Sequence, residues 1–212
     1  MSDIYDGNIW KEFPSIMDAQ NSPKFFTPET ADSNLGIMIN LDWFQPFDSA
    51  VYSSGAIYGV ICNLPRSIRF KRENILTLGL LLGPNEVKLD RINHYLAPII
   101  DELLELWNGF SLPKSNKHPS GKDIRVAVIC CSSDIPAARK LCGHILALVA
   151  CHRCYKSASG EEGQRLNFGG FEDMSEWFRT RDASEHRHNA MIWKHQQTKQ
   201  DRKNHVSQTH VW

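Results

Sequence analysis

The sequence predicts an α/β fold built on one mixed sheet, and three observations predict it. Three short runs rich in apolar and β-branched residues follow one another between 35 and 83. A stretch with helical periodicity comes next, at 91–110. A fourth strand-like run, 124–134, separates that stretch from a second helical segment. Strands in direct succession suit antiparallel neighbours, whereas a strand reached through a helix suits a parallel one.

The first run, "LGIMINLDWF" (35–44), alternates and branches like a buried strand. It carries an acid, Asp42, followed by Trp43 and Phe44, with Pro46 two residues further on. "SSGAIYGVICNL" (53–64) is the second run, stopped by Pro65. "NILTLGLLLG" (74–83) is the third, closed by the Gly83-Pro84 turn. In "RINHYLAPIIDELLELWNGF", Ile92, Leu96, Ile99, Leu103 and Leu106 recur at steps of four and three, as on an amphipathic helix. Pro98 fits in its first turn or at a kink, and Gly109 is placed to end it. Residues 111–123 have loop composition. "IRVAVICCSSD" is a continuous apolar run of the kind a strand buried on both faces requires, and it too ends on an acid, Asp134. "IPAARKLCGHILALVA" follows as a helix. The expected organisation is an irregular polar lead-in (1–33), a core (34–150), and a Cys/His-containing insertion with a polar C-terminal segment (151–212) that shows no sustained helical stripe.

Three antiparallel strands, a crossover helix and a parallel fourth strand are the order of an RNase H-like core. If the first and fourth strands are neighbours, Asp42 and Asp134, 92 residues apart, leave the same sheet edge side by side. Two ionised carboxylates held close repel one another unless something neutralises them. A hard divalent cation with oxygen ligands does so, and two such ions activate a nucleophile and stabilise the leaving oxygen of a phosphodiester. The competing reading is structural: Asp42 in a turn, and Asp134 capping the next helix with Pro136 at an early helical position.

Composition narrows the classes. Of 212 residues, 42% are hydrophobic and 23% charged, which fits neither a disordered nor a membrane chain. The start is polar and acidic, unlike a secretory signal, so the six cysteines are expected as thiols or metal ligands. Lys plus Arg and Asp plus Glu are both 24, without the basic excess of a free-standing DNA-binding domain. Basic residues do gather locally. Arg66, Arg69, Lys71 and Arg72 either track phosphates or form one solvated face beside Ile68 and Phe70. His94 and His118 are expected in solvent or loops, and Trp43, Trp107 and Trp177 in the core or an interface.

Several blocks in sequence carry a resemblance: "NLGIMINLDWFQPFDSAVYSSGAIYGVICNLPRSIRFKRENILTLGLLLGPNE", "DRINHYLAPIIDELLELW", "IRVAVICCSSDIPAARKLCG", "ACHRC" and "FGGFEDMSEWFRTRDASEHR". Over roughly residues 34 to 212, the chain resembles transposases of the CACTA (En/Spm-like) superfamily, especially fungal copies. The resemblance implies a DDE-type enzyme with an RNase H-like core, Mg²⁺ or Mn²⁺ as cofactor, and metal-dependent DNA cleavage and strand transfer. It also implies transposon ends as partner and a nuclear location, a cytoplasmic one being the alternative; no membrane is expected, because the longest apolar runs, such as "ILALVAC" (145–151), are far short of a span. Asp42 and Asp134 match the first two proposed metal ligands. The family's later D-x-x-H motif and catalytic Glu are not found in these 212 residues, and Glu172, Glu176 and Glu185 fall in earlier blocks. The chain is therefore expected to be the front part of a catalytic domain, inactive alone, with one sheet face incompletely covered and a tendency to oligomerise. "GLLLGPNE" stands where "GIIPGP" is more typical, and the stretch before the cysteine pair is unusually apolar.

Cys151 and Cys154 form a C-x-x-C, the spacing at which two thiolates grip one tetrahedral Zn²⁺. Cys142 and His144 upstream, or His186 and His188 downstream, would complete the set. The downstream pair is preferred because the resemblance suggests a zinc-knuckle-like insertion after the second acid. Idle thiols are the competing reading, and redox use lacks a thioredoxin-like surround. Two non-catalytic functions stay open beside the transposase: a transposon-derived remnant that binds nucleic acid or protein, and a structural zinc module.

Overall fold

The computed structural model describes residues 3–17, 19, 21–49, 51–88, 91–144, 154 and 180–212. They fall into two compact units, Met1–Val87 with Asn93–Ser132, and Lys88–Ile92 with Ser133–Trp212.

The first unit is organised by a five-stranded sheet. Its strands are β1 (Asn34–Phe44), β2 (Ser54–Ile61), β3 (Ile75–Leu81), β4 (Phe110–Leu112) and β5 (Lys122–Cys131), in the spatial order β3-β2-β1-β5-β4. β1 is antiparallel to β2 and parallel to β5, and β2 is antiparallel to β3. The first and fourth of the expected strands are thus neighbours, as the crossover demanded. β4 is an addition: it lies at the start of the stretch with loop composition and pairs antiparallel with Lys122–Ile124. Three residues are too few for a periodic signal, and the pairing supplies what local sequence does not.

Alternation along β1 sorts the sheet into two faces. Ile37, Ile39 and Leu41 are buried on one of them, opposite Ile61, Gly59 and Ile57 of β2. The helix α3 (Ile92–Asn108) covers this face: Ile99 lies over Gly79 of β3, next to Ile57. The expected stripe is the observed one, with Ile92 buried and Leu96, Ile99, Leu103 and Leu106 half-buried. Pro98 falls in the helix interior rather than the first turn, and Gly109, at φ 113°, ends the helix.

The other face carries Gly36, Met38, Asn40 and Asp42. Its Gly36 end is covered by the lead-in, because a side chain at Gly36 would meet the Trp10 ring at 2.9 Å. The lead-in, expected as irregular, holds the one-turn helix α1 (Asn8–Lys11) and two 3₁₀ turns and is integral to the core. Phe25 is fully buried and stacks on Trp107 with ring centroids 5.1 Å apart, and Trp10 stacks on Phe26 at 3.9 Å. Arg125 lies over both Phe25 and Trp107 and donates to the Trp107 carbonyl at 2.9 Å. Arg69, at the end of the short helix α2 (Arg66–Arg69), is buried against the same segment. It donates to Asp3 at 2.7 and 3.2 Å and to the Leu64 carbonyl at 3.0 Å. It serves as a structural anchor, and the phosphate-tracking alternative does not apply to it.

The second unit contains α4 (Ile135–Leu141), α5 (Ala183–His195) and α6 (Lys199–Thr209). α4 is shorter than expected; Gly143 stands beyond it at φ 67°, and residues 145–150 lie outside the described ones. The polar C-terminal segment forms two helices although it has no apolar stripe. Their starts explain this: Asp182 accepts from the Glu185 N–H at 2.7 Å, and Thr198 from the Asp201 N–H at 3.0 Å. Side-chain caps of this kind each stabilise a helix start by about 1 kcal/mol. Val211 pairs with His144, and Trp212 donates to the Gly143 carbonyl at 3.1 Å. Among the described residues no helix is long and apolar enough to cross a membrane.

The hydrogen bond from Arg69 holds the Asp3 carboxyl below the ordinary carboxylate range. A carboxyl depressed in the folded chain adds stability above its unfolded pKa and loses that contribution as pH falls through the folded value. The chain should therefore lose stability on acidification from roughly pH 4 downward, and Asp3→Asn should flatten that acid limb while lowering stability at neutral pH. Urea unfolding of both proteins at neutral and acid pH measures this; identical acid limbs would contradict it.

Candidate functional site

β1 ends at Phe44, as the run at 35–44 predicts, so Asp42 lies within the strand rather than ending it. β1 runs two residues past Asp42, still paired with β2 through Asp42↔Ala56, Trp43↔Gly55 and Phe44↔Ser54. What ends before Asp42 is the pairing with β5, whose last partners are Ile39↔Cys131. The Ser132 N–H still donates to the Ile39 carbonyl at 2.8 Å, and the Asn40 side-chain amide donates to the Ser132 carbonyl. Asp42 lies three residues beyond Ile39, the last β1 residue in register with β5. The bulky neighbour also has its reason: Trp43 lies across Gly55, where a Cβ would meet the indole at 2.8 Å. Trp43 thereby secures the β1–β2 pair on the helix-covered face, while Asp42 lies on the other.

Asp42 is exposed, and among the described residues its carboxylate has no hydrogen-bond or ion-pair partner. Met38 and Asn40 share its face by alternation. With Tyr58 and Val60 of β2, Ile75 and Thr77 of β3, and Phe70, Arg72 and Ser132, they line a cavity of about 600 Å³. No motif in the sequence marks this cavity. Its signal was parity: Met38, Asn40 and Asp42 share one phase of a strand whose other phase is Ile37, Ile39 and Leu41.

Asp134 belongs to the second unit and is the N-cap of α4. Its Oδ1 accepts from the Ala137 N–H at 2.8 Å, with Pro136 in the first helical turn. The structural reading of this acid is thus realised. Capping uses one carboxylate oxygen and leaves Oδ2, on an exposed residue, for another ligand. Both acids therefore offer hard oxygen donors, which suits Mg²⁺ or Mn²⁺ and not a soft metal.

The zinc set is divided. Cys151 lies outside the described residues, and Cys154 is half-buried with its backbone paired to Thr180. His186 and His188 stand two apart on α5, roughly 200° around its axis, so they do not face one point. His186 is half-buried and its ring lies 4.8 Å from that of His144, whereas His188 is exposed. Burial and the Arg181 cation hold His186 below the usual histidine range. Among the described residues no group of three or more His, Cys, Asp or Glu side chains is arranged to hold a metal. The described cysteines form no disulfide with one another, and burial pushes Cys62 up to about 11.

A family model described as transposase family tnp2 matches residues 1–208. The chain belongs to this transposase family. No curated protein matches it. The match includes the lead-in, in keeping with the place of Trp10 and Phe25 in the core, and it spans both Asp42 and Asp134.

The cap and the second oxygen of Asp134 can be separated by substitution. Asp134→Ala should lower stability by about 0.5–2 kcal/mol, whereas Asp134→Asn, an equally good cap, should leave it unchanged. Urea unfolding reports the difference. Equal stability of the Ala variant and the wild type would show that the cap contributes nothing.

Proposed function

We propose that this member of transposase family tnp2 is of the CACTA type, and that its first unit is the RNase H-like part of a DDE catalytic domain. In this reading Asp42 and Asp134 are two of three carboxylates that hold Mg²⁺ or Mn²⁺. The observation that carries it is the parallel pairing of β1 with β5, which ends at Ile39↔Cys131, three residues before each acid. The exposed, unpartnered carboxylate of Asp42 and the free Oδ2 of Asp134 supply the oxygen donors the ion requires. The bound ion would supply charge neutralisation and an activated nucleophile for phosphodiester cleavage. The protein's own part is to hold the two carboxylates on rigid elements, one on a central strand and one at a helix N-terminus. The substrate is DNA at transposon ends, and the place of action is the nucleus.

The third carboxylate is assigned to no residue of this chain. With two acids the site is under-coordinated, so the 212 residues should bind metal but cleave DNA little or not at all, because transition-state stabilisation needs a complete, rigid charge arrangement. Mn²⁺ titration followed by electron paramagnetic resonance tests the first half. Asp42→Asn and Asp134→Asn should each weaken binding by at least the roughly 10–100-fold that loss of an outer-shell partner costs at other metal sites. Binding unaffected by either substitution would contradict the assignment, and metal-dependent cleavage lost on Asp134→Asn would contradict the need for a third acid.

A further inference from the structure

The cavity beside Asp42 is not explained by two metal-binding carboxylates. It lies within the first unit, on the sheet face that carries Met38, Asn40 and Asp42, and its volume of about 600 Å³ falls in the usual range for small-molecule sites. Its composition is specific. Phe70 and Tyr58 bring two aromatic rings, Arg72 a cation, Asn40, Thr77 and Ser132 polar groups, and Met38, Val60 and Ile75 an apolar floor. No acid lines it, and Arg72 enters no ion pair among the described residues.

Phe70 is 53% exposed, a large aromatic held in solvent at the rim. It is held there by its neighbours in sequence. Arg69 turns inward to Asp3, and the Lys71 N–H donates to the Ile68 carbonyl at 3.0 Å, so the α2 turn continues past Phe70. The Asn74 side chain then ties the following 3₁₀ turn to the Ile68 carbonyl at 2.9 Å. The segment that presents Phe70 and Arg72 is thus fastened at both ends.

An aromatic platform with a neighbouring unpaired cation is the combination that takes a base on its face and a phosphate at its edge. We propose that this cavity receives one unstacked nucleotide of the DNA, its base against Phe70 and Tyr58 and its phosphate at Arg72. The proposal rests on the reading of the chain as a DNA-acting transposase and adds the conformation of the substrate. The nucleotide beside the proposed metal site is taken out of the stack, and Asp42 lies two residues along the same strand face from Asn40. Selectivity in this site is for an unpaired nucleotide, because a base inside a duplex cannot present its face.

The test compares binding of the full chain to a blunt DNA duplex and to the same duplex carrying a short single-stranded overhang, by fluorescence anisotropy at fixed salt. The overhang should bind about tenfold more tightly, the scale of one base stacked on an aromatic ring. Phe70→Ala and Arg72→Gln change exposed side chains and should leave the fold intact. Each should remove the preference for the overhang, and Phe70→Ala should leave blunt-duplex affinity as it is. Equal affinity for both DNAs, or a preference that survives Phe70→Ala, overturns the nucleotide site while the DNA-binding reading stands. Absence of binding to either DNA overturns both. A change of sedimentation coefficient in Phe70→Ala with no change in DNA affinity assigns the face to a protein surface instead, and also overturns it.

Discussion

The parallel pairing of β1 with β5 is the constraint on which the first unit depends. Parallel neighbours cannot be joined by a hairpin, so the chain between β3 and β5 must cross over the sheet, and α3 is that crossover. Its half-buried stripe covers the face of Ile37, Ile39 and Leu41 and leaves the opposite face to other segments. The lead-in takes that face as far as Gly36. The register with β5 ends at Ile39 and Cys131, while β2 continues to pair with β1 as far as Phe44. Asp42 follows Asn40 on the uncovered face, and the cavity lies over Met38 and Asn40 and their β2 and β3 neighbours on that face. An aspartate here costs little, because it is exposed to water and lies outside the hydrophobic face.

Asp134 serves the fold in a way compatible with the proposed site. Its Oδ1 satisfies a helix N–H that would otherwise lack a partner, and the cap does not use its Oδ2. The cap fixes the carboxylate rotamer, and a fixed rotamer is what a metal ligand needs if coordination is not to pay for ordering it. The structural and functional readings of this residue are therefore compatible. Trp43 plays the corresponding part for Asp42, since its indole across Gly55 secures the strand on the covered side and leaves the acid uncovered.

Strand order and the helix stripe were legible because each rests on a repeating local pattern. Ile92, Leu96, Ile99, Leu103 and Leu106 are the same residues in sequence and structure. Features that depend on one partner far along the chain were not legible. Arg69 looked like one of four similar cations, yet its role is set by Asp3, 66 positions away. Phe25 stood in a proline-punctuated segment, yet Trp107 and Arg125 bury it. β4 exists because β5 pairs with it, and α5 and α6 begin at capping residues rather than at an apolar period. His186 and His188 looked equivalent in "EHRHN" until the helix placed them on different sides.

The central proposal is that Asp42 and Asp134 are ligands of one divalent ion. Anomalous diffraction from crystals of the full chain grown with Mn²⁺ tests it most directly. The account predicts one anomalous peak within direct coordination distance, roughly 2 Å, of oxygens from both Asp42 and Asp134. A peak bound to neither, or the two carboxylates fixed too far apart to share an ion while strands β1 and β5 remain paired, would contradict it.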